Sequence, residues 1–305
     1  DLVASAPTPP PNLIAVEMLS ATDGWLVGQS GTIRHWNGTG WIPVSSPATG
    51  WLNALAFTSP NQGWIGGNSG TLLYWDGASL TPVASPTICN IQSIDMLTAS
   101  DGWAVCSTVG GITATILRWN GSQWLIELEG RGTSLYDVDM LSGTNGWAVG
   151  ALGTILHWNG TIWTSVQSPV MHDLYAVSML APDDGWAVGG DWFSFDSSIL
   201  HWDGLSWAVI AEVDAILFEM DFASQSDGWA VGNGRSLFHW DGAEWTMVAA
   251  PLMLPSLFGI AMASHTDGWA VGVEDTVLRW DGVRWTSFPD NGHGRVVYIP
   301  IILRN

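Results

Sequence analysis

One stretch of the chain, Asn145 to Trp163, recurs seven times with little change. It reads Asn-Gly-Trp-Ala-Val-Gly-Ala-Leu-Gly-Thr-Ile-Leu-His-Trp-Asn-Gly-Thr-Ile-Trp, and its Gly-Trp motif returns at intervals of 39 to 44 residues. A period near 40 residues, in segments rich in β-branched and aromatic residues, is typical of the blades of a β-propeller. No helical period of comparable length competes with it. The repeat therefore predicts an all-β fold, a seven-bladed β-propeller with four antiparallel strands per blade.

Tryptophan takes up to three positions in each copy: after Gly in the Gly-Trp motif, before an Asn/Asp-Gly pair, and at the end of Gly-x-x-Trp. The second copy has Leu80 at the third position. All but two of the 22 tryptophans occupy these positions, the exceptions being Trp51 and Trp192. Burial of such a large apolar side chain contributes about 1.5–3 kcal/mol. We therefore expect the repeated tryptophans to pack one blade against the next, rather than to stack on a ligand.

An Asn-Gly or Asp-Gly pair separates the third and fourth predicted strands of each copy. A two-residue type I′ turn needs positive φ at both central residues, which these pairs supply at low cost. If Asn159-Gly160 forms such a turn, Trp158 pairs with Thr161. Leu156 then pairs with Trp163, and the two tryptophans lie diagonally on one face of the sheet.

The repeat divides the chain into three parts. Residues 1–11 form a Pro-rich lead of polyproline II character, residues 12–294 form the propeller, and residues 295–305 are left over as a C-terminal extra strand. The predicted blades are 12–50, 51–89, 90–132, 133–172, 173–214, 215–255 and 256–294.

The C-terminal extra strand is apolar and β-branched, and the sevenfold scheme has no place for it. Two roles remain open: it latches the first and last blades together, or it adds to a sheet edge of another copy. Pro300 restricts either pairing, because it lacks a backbone donor. The candidate assembly residues are Val296, Val297, Tyr298, Ile299, Ile301, Ile302 and Leu303.

Two copies carry insertions, in blades 3 and 5, and both insertions fall between the second and third strands. Binding residues tend to lie on such loops, which a rigid scaffold holds in place. The blade 5 loop is the stronger candidate, because it sets aromatic side chains among polar ones. It either binds a sugar or a partner protein, or it folds over a neighbouring blade and covers it. The candidate binding residues are Asp191, Trp192, Phe193, Phe195 and Asp196.

Cys89 and Cys106 are the two cysteines of the chain. Cys89 lies in a predicted blade-to-blade loop and Cys106 at the end of a second strand, so both are expected on the same face, within one blade. An even pair in an exported protein favours a disulfide. The alternative is two small buried thiols.

The chain is strongly acidic, with a formal net charge of −20, and its eight basic residues are all arginine. Eight scattered arginines do not form the basic face that nucleic acid or an anionic membrane requires. No run of 18 apolar residues is present, so insertion into a membrane is not expected. The start Asp-Leu-Val-Ala-Ser resembles the exposed start of a processed protein. We expect an extracellular protein whose signal peptide has already been removed.

The histidines do not converge on one point. Four of them occupy a single repeat column in four different blades, so they cannot share one metal ion, and a structural role is expected for each. These are His35, His157, His201 and His239. The chain shows no nucleophile elbow, zinc spacing or phosphate loop. We therefore expect no catalytic residue, no metal and no cofactor.

Acidic residues recur on the first strands, which line the central channel of a propeller. Such a channel is hydrated or, less favoured, holds Ca²⁺ through oxygen ligands. The residues are Glu17, Asp95, Asp137, Asp139, Glu219 and Asp221.

The copy Gly-Trp-Ala-Val-Gly-x-x-Gly-Thr-Ile-Leu-His resembles the repeat of the photosystem II assembly-factor propellers and of related Asp-box (BNR-like) propellers, over residues 12–290. The resemblance implies a seven-bladed, non-enzymatic scaffold. The basic patch of those assembly factors has no counterpart in a chain without lysine, so their specific role is not carried over. Sialidases with such repeats use clustered arginines, whereas Arg34, Arg118 and Arg279 lie in different blades here.

These observations predict a secreted, non-enzymatic propeller that acts as a structural or interaction unit. We expect it to self-assemble into an oligomer or filament through a terminal strand, so that its partner is itself, another extracellular protein or a glycan. The first alternative is a carbohydrate- or protein-binding module that uses the blade 5 loop. The second, less favoured, is a glycoside hydrolase with a site at the mouth of the channel.

Overall fold

The computed structural model describes residues 9–108, 113–193, 197–234, 236–248 and 255–288. Within them, seven sheets each contain four consecutive antiparallel strands, numbered β1 to β28. The first strand of each sheet contacts the first strands of the two neighbouring sheets, so the seven sheets form a closed ring. The predicted seven-bladed β-propeller with four antiparallel strands per blade is confirmed.

Each blade is built from one continuous segment, and its first strand is the inner strand at the central channel. Blade 1 contains β1 (Leu13–Ser20), β2 (Asp23–Gly28), β3 (Ile33–Trp36) and β4 (Trp41–Pro43). Blade 2 contains β5 (Leu52–Ser59), β6 (Gln62–Gly67), β7 (Leu72–Trp75) and β8 (Leu80–Pro82). Blade 3 contains β9 (Asn90–Thr98), β10 (Asp101–Ser107), β11 (Thr113–Trp119) and β12 (Trp124–Arg131). Blade 4 contains β13 (Leu135–Ser142), β14 (Asn145–Gly150), β15 (Ile155–Trp158) and β16 (Trp163–Ser165).

The remaining three blades follow the same order. Blade 5 contains β17 (Asp173–Ala181), β18 (Asp184–Gly190), β19 (Ser197–Trp202) and β20 (Trp207–Val213). Blade 6 contains β21 (Leu217–Ser224), β22 (Asp227–Gly232), β23 (Leu237–Trp240) and β24 (Trp245–Met247). Blade 7 contains β25 (Leu257–Ser264), β26 (Asp267–Gly272), β27 (Val277–Trp280) and β28 (Trp285–Ser287). No helix in these described ranges is long and apolar enough to cross a membrane.

The repeated tryptophans form a continuous seam around the ring. The first tryptophan of each blade contacts the second and third tryptophans of the next blade, except that Trp25 contacts only Trp75 because blade 2 has Leu80 at the third position. Trp103 of blade 3, for example, lies 4.8 Å from Trp158 and 5.5 Å from Trp163, between ring centroids. Every first tryptophan is at most 3 % exposed. The prediction that these rings pack blade against blade is confirmed.

The same contact closes the ring between the last blade and the first. Trp269 lies 4.7 Å from Trp36 and 5.2 Å from Trp41, between ring centroids. Arg34 also forms an ion pair with Asp275 at 2.7 Å. Described residues of blades 1 and 7 therefore contact each other directly. The extra strand, residues 295–305, lies outside the described residues, so its predicted latching role stays a prediction.

The turn between the third and fourth strands differs from the predicted type I′ turn. Trp158 pairs directly with Trp163, so the loop holds four residues and the two tryptophans are opposite rather than diagonal. Leu156 pairs with Ser165, not with Trp163. Asn159 Oδ1 accepts the backbone N–H groups of residues 161 and 162, each at 3.0 Å. This side-chain bond closes the turn, and only Gly160 needs positive φ, at 90°.

Candidate functional site

One end of the central channel opens into a cavity of about 460 Å³, here called the mouth. Each inner strand contributes to this opening the residue that directly follows its first buried aliphatic residue. These residues form a column of seven, one from each blade: Ile14, Asn53, Gln92, Tyr136, Tyr175, Phe218 and Phe258. The column changes character around the ring, because blades 2 and 3 supply amides and blades 4 to 7 supply aromatic rings.

The aromatic side chains on blades 4 to 7 form a continuous arc. Tyr136 stacks on Tyr175 with ring centroids 5.3 Å apart, and Tyr175 meets Phe218 edge-on at 5.8 Å. Phe218 lies 5.5 Å from Phe258. Trp192, from the blade 5 loop, stacks on Phe218 at 5.6 Å. These five residues are called the aromatic arc. Neighbouring rings support one another, so the arc presents a preformed apolar wall.

A half-buried carboxylate, Asp173, bonds the two tyrosines of the aromatic arc. The hydroxyls of Tyr136 and Tyr175 both donate to Asp173 Oδ2, at 3.4 Å each. Burial, and then the Asp173 charge, raise the pKa of Tyr136 to about 12, and the same causes raise the pKa of Tyr175. Both hydroxyls therefore keep their protons at neutral pH and hold the two rings in position.

Amides line the opposite side of the mouth. Asn53 Nδ2 donates to Asn68 Oδ1 at 3.0 Å and to the Ile91 carbonyl at 2.9 Å. Asn90 and Gln92, on the inner strand of blade 3, line the same cavity. Asn53, Asn68, Asn90 and Gln92 are called the amide arc. Each amide carries both donors and acceptors, so this side can pair with the backbone or polar groups of a ligand.

The two tryptophans outside the repeat both line the mouth. Trp51 is 48 % exposed and lies with the amide arc, and Trp192 is 55 % exposed and belongs to the aromatic arc. Exposed large apolar side chains that are grouped in one concave site mark a candidate binding surface. Trp51 and Trp192 are the two tryptophans that occupy no repeat position, and the structure brings both to one cavity.

The predicted blade 5 site is brought together only in part. Trp192 reaches the mouth, whereas Phe193 is 96 % exposed and does not line it. Asp191 Oδ1 accepts the backbone N–H of Phe193 at 2.6 Å, which shapes the loop. Phe195 and Asp196 lie outside the described residues. Sequence reasoning missed the aromatic column on the inner strands, although aligning the seven first strands residue by residue would have found it.

Behind the mouth, the six predicted acidic residues gather around the channel. Five of them line an inner cavity of about 270 Å³, and Glu219 lines the mouth itself. This set of six is called the acidic channel. Five of its members accept a backbone N–H from the inner strand of the next blade, so they also tie neighbouring blades together. These bonds are Glu17 with Phe57, Asp95 with Met140, Asp137 with Val177, Asp139 with Met179, and Asp221 with Met262.

Burial raises the pKa of every carboxyl in the acidic channel. The pKa of Glu17 rises to about 8, and those of Asp95, Asp137 and Asp221 rise to about 6. Asp139 and Glu219 are raised well above their usual values, first by burial and then by neighbouring carboxyls. Within the described ranges, no three His, Cys, Asp or Glu side chains are grouped so as to hold a metal ion.

The repeated histidines lie on the third strands and pack against the first tryptophan of the same blade. His35 Nε2 lies 2.7 Å from Asp23 Oδ1, and its ring covers Trp25 at 4.5 Å between centroids. His157, His201 and His239 make the same two contacts in blades 4, 5 and 6. In blade 3, Arg118 takes the position, with its guanidinium 4.9 Å from the Trp103 centroid. The column is structural.

The structure joins Cys89 and Cys106 by a disulfide, with their Cα atoms 5.7 Å apart. Both residues are buried. Cys89 directly precedes Asn90, and Cys106 directly precedes Ser107, whose hydroxyl accepts a hydrogen bond from Gln92 Nε2 at 2.5 Å. The disulfide therefore fixes the backbone that carries two members of the amide arc.

The predicted assembly residues, 296 to 303, lie outside the described residues. The sheet edges to which such a strand could add lie within the described residues. β12 and β20 are eight and seven residues long, whereas the outer strands of the other five blades are three residues long. Both long strands expose apolar side chains, namely Leu125, Ile126, Val209 and Ile210. The insertions in blades 3 and 5 thus lengthen the outer strands of two sheets, which pair with no further strand among the described residues.

Comparison with known proteins supports the fold and goes no further. No protein-family model and no curated protein matches the sequence. Among solved structures, the chain is similar to YCF48 bound to D1 peptide, with 17 % identity, a TM-score of 0.70, and coverage of 90 % of this chain and 94 % of that one. It is also similar to the WD40 β-propeller domain of Doa1, with 15 % identity, a TM-score of 0.69 and the same coverage.

A second YCF48 structure, from Cyanidioschyzon merolae, has 16 % identity and a TM-score of 0.68 over 90 % of this chain and 97 % of that one. YCF48 is a photosystem II assembly factor, so the resemblance noted in the sequence is confirmed at the level of the propeller fold. Identities this low show a shared architecture.

Proposed function

We propose that this chain is a non-enzymatic interaction module that binds a segment of a partner protein at the mouth. The observation that carries this proposal is the position of Trp51 and Trp192, the two tryptophans that the repeat does not require. Exposed tryptophan and tyrosine side chains in a concave site are the residues that most often dominate the free energy of protein binding.

The chemistry of the mouth fits a protein segment. Its volume of about 460 Å³ lies in the range of ligand-binding pockets, about 300–1,000 Å³. The aromatic arc offers apolar contact, and the amide arc offers donors and acceptors for a peptide backbone. The carboxylates behind it disfavour anionic ligands. Among the fold neighbours, one YCF48 structure is described as bound to D1 peptide, which supports testing peptides first.

Two adjacent residues of the blade 5 loop provide a matched test. We expect peptides selected from a random library on the wild-type protein to lose at least tenfold in affinity against Trp192→Ala. The same peptides bind Phe193→Ala as they bind the wild type, because Phe193 lies outside the mouth. Affinities are measured by isothermal titration calorimetry. Equal losses in both variants, or no loss in either, would contradict the proposal.

A neutral oligosaccharide array serves as the competing arm of the same experiment. Aromatic rings and amides also bind sugars, so glycan binding that depends on Trp192 would assign the mouth to carbohydrate instead. A screen of glycoside substrates tests the proposed lack of enzymatic activity. Hydrolysis that persists in highly purified protein and is lost on substitution of a channel carboxyl would overturn that part.

Self-assembly through the C-terminal extra strand is the second candidate function, favoured by the length of the outer strands β12 and β20. A strand added there would form a ladder of backbone hydrogen bonds and cover the exposed apolar side chains. A head-to-tail contact that does not close produces filaments. Deletion of residues 295–305 is expected to convert oligomers into monomers in light scattering and negative-stain images. An unchanged oligomeric state would contradict this candidate.

We also propose that the protein works outside the cell, as its disulfide and its composition suggest. Mass spectrometry of the protein isolated from its native source, alkylated without reduction, checks this. The expected result is an unmodified cysteine pair in the extracellular fraction.

A further inference from the structure

We infer that the acidic channel accepts a basic side chain, a lysine or arginine, from the partner segment that docks at the mouth. This inference rests on the proposed function and names the chemistry that the partner must carry. The ammonium or guanidinium group enters between the carboxyls, and the aromatic arc surrounds the stem of the side chain.

The carboxyls of the acidic channel extend as far as the mouth. Glu219 lines the mouth, and its carboxyl interacts with the charges of Asp137, Asp139 and Asp221 deeper in the channel. Asp137 and Asp221 line the inner cavity. A group that passes the aromatic arc therefore meets Glu219 first and the other carboxyls after it.

Glu17 gives an independent indication that a hydrogen-bond donor is missing from the channel. Its Oε1 atom accepts the backbone N–H of Phe57 at 3.1 Å. Its Oε2 atom is buried and accepts no hydrogen bond from the described residues. A buried carboxyl oxygen without a hydrogen-bond partner destabilises the folded protein. A cationic donor supplied by a ligand would bond this oxygen as the carboxyl gives up its proton.

Charge balance points in the same direction. The described residues that line the two cavities include no basic side chain, although they include six carboxyls. In the free protein, carboxyls whose pKa is raised keep their protons, which reduces this negative charge. A cationic side chain neutralises it as well and releases those protons. The affinity for a cation is therefore expected to rise with pH.

An elongated organic cation fits the carboxyl positions better than a metal ion does. The carboxyls are distributed over several blades, and no three are grouped for one metal ion in the described part of the chain. An ammonium group has three donors, and a guanidinium has five, so either can bond several separated oxygens. The faces of aromatic rings at the mouth also attract a cation.

The test compares two peptides that differ in a single charge. Acetylated and amidated Gly-Ser-X-Ser-Gly, with lysine or norleucine at X, is titrated into the protein while calorimetry or tryptophan fluorescence is recorded. We expect the lysine peptide to bind at least tenfold more tightly at pH 8. We expect this preference to shrink at pH 5, where the carboxyls are protonated. Equal affinity for the two peptides at pH 8, or a preference that does not change with pH, would overturn the inference.

The variant Glu219→Gln tests the site directly, because glutamine keeps the Oε1 acceptor that bonds the Met220 N–H. The preference for lysine is expected to fall to about twofold or less, with the norleucine peptide unaffected. A preference that survives in Glu219→Gln combined with Glu17→Gln would overturn the inference. If a variant does not fold, the pH comparison on the wild type still decides.

The outcomes separate this inference from the proposed function. Binding of both peptides equally, with loss in Trp192→Ala, sinks the inference and keeps the interaction module. Failure of both peptides and of every library peptide sinks both. Calcium chloride alone, if it raises the melting temperature and displaces the lysine peptide, would assign the channel to a metal ion.

Discussion

The tryptophan seam and the mouth use the same residue type for opposite purposes. In the seam, Trp103 is fully buried and contacts two rings of the next blade, and the other blades repeat the arrangement. In the mouth, Trp192 is half exposed, stacks on one ring, and has no counterpart in the other blades. Positions that are the same in every copy hold the ring closed. At the mouth, positions that differ between copies leave large side chains exposed to solvent.

The inner strands show this division within single elements. Each has, as its first or second residue, a buried aliphatic residue, such as Leu174 or Leu217, that is 0 % exposed. The next residue faces the mouth and varies from asparagine to phenylalanine around the ring. The scaffold is therefore symmetric, while the surface it presents at the mouth is polar on one side and aromatic on the other.

The largest expected effect is on the seam. Trp103→Ala removes a fully buried ring and its contacts with Trp158 and Trp163. We expect the free energy of unfolding to fall by about 3–5 kcal/mol, as for other large-to-small core substitutions. Urea denaturation followed by tryptophan fluorescence measures it. A loss below about 1 kcal/mol would show that the seam does not hold the blades together.

The disulfide is expected to make the next largest contribution to the free energy of unfolding. It lies beside the residues of the mouth and not in the tryptophan seam. The double variant Cys89→Ser and Cys106→Ser opens a link between residues that are 17 positions apart. A loop of that length corresponds to about 3 kcal/mol of unfolding free energy. Thermal denaturation with and without reductant checks this, since reductant should have no further effect on the double variant. Equal stability of both forms would contradict it.

Stability is expected to fall as the pH rises from about 5 to 8. The folded-state pKa values of Glu17 and Asp95 lie above their unfolded values, so the folded protein binds more protons in this range. Their contribution is fully present below the unfolded pKa and is lost as pH rises through the folded pKa. We expect a decrease of about 2 kcal/mol in urea titrations. Glu17→Gln should flatten the upper part of the curve, and an unchanged curve would count against the raised pKa.

The smallest stability effect is at the turn. Gly160 has φ of 90°, and an added Cβ would lie 3.0 Å from Thr144 Cβ. Gly160→Ala is expected to cost about 1–2 kcal/mol. Gly40→Ala is the matched control, because Gly40 has no positive φ and only Ile42 Cδ1 lies within 4.0 Å. Similar losses for both variants in denaturation experiments would indicate that the backbone conformation is not the cause.

The fold was predictable from the sequence because the information is present seven times. Gly-Trp and Gly-x-x-Trp recur at one period, and each copy confirms the strand assignment of the others. The four-residue turn was not predicted, because Asn-Gly is compatible with a type I′ turn and with an Asn side-chain turn. The register around Trp158 and Trp163 distinguishes the two.

The site was predictable only in part. Trp192 was identified because it breaks the repeat, and the channel carboxyls were identified because they share a column. The arc of Tyr136, Tyr175 and Phe218 was not, since an aromatic residue at one position of a strand is equally compatible with the core. Aligning the seven inner strands shows that these residues share one column, but only the closed ring brings residues from separate blades to one opening.

The most direct measurement compares two pairs of tryptophans. The double variant Trp51→Ala and Trp192→Ala removes the pair outside the repeat, and Trp103→Ala with Trp229→Ala removes a pair from the seam. Unfolding free energy and affinity for a mouth-selected peptide are measured for both. The mouth pair is expected to lose less than about 1 kcal/mol of stability and at least tenfold in affinity, while the seam pair loses more than about 5 kcal/mol of stability. A mouth pair that binds normally, or that destabilises the protein as much as the seam pair does, would contradict the division between scaffold and binding surface.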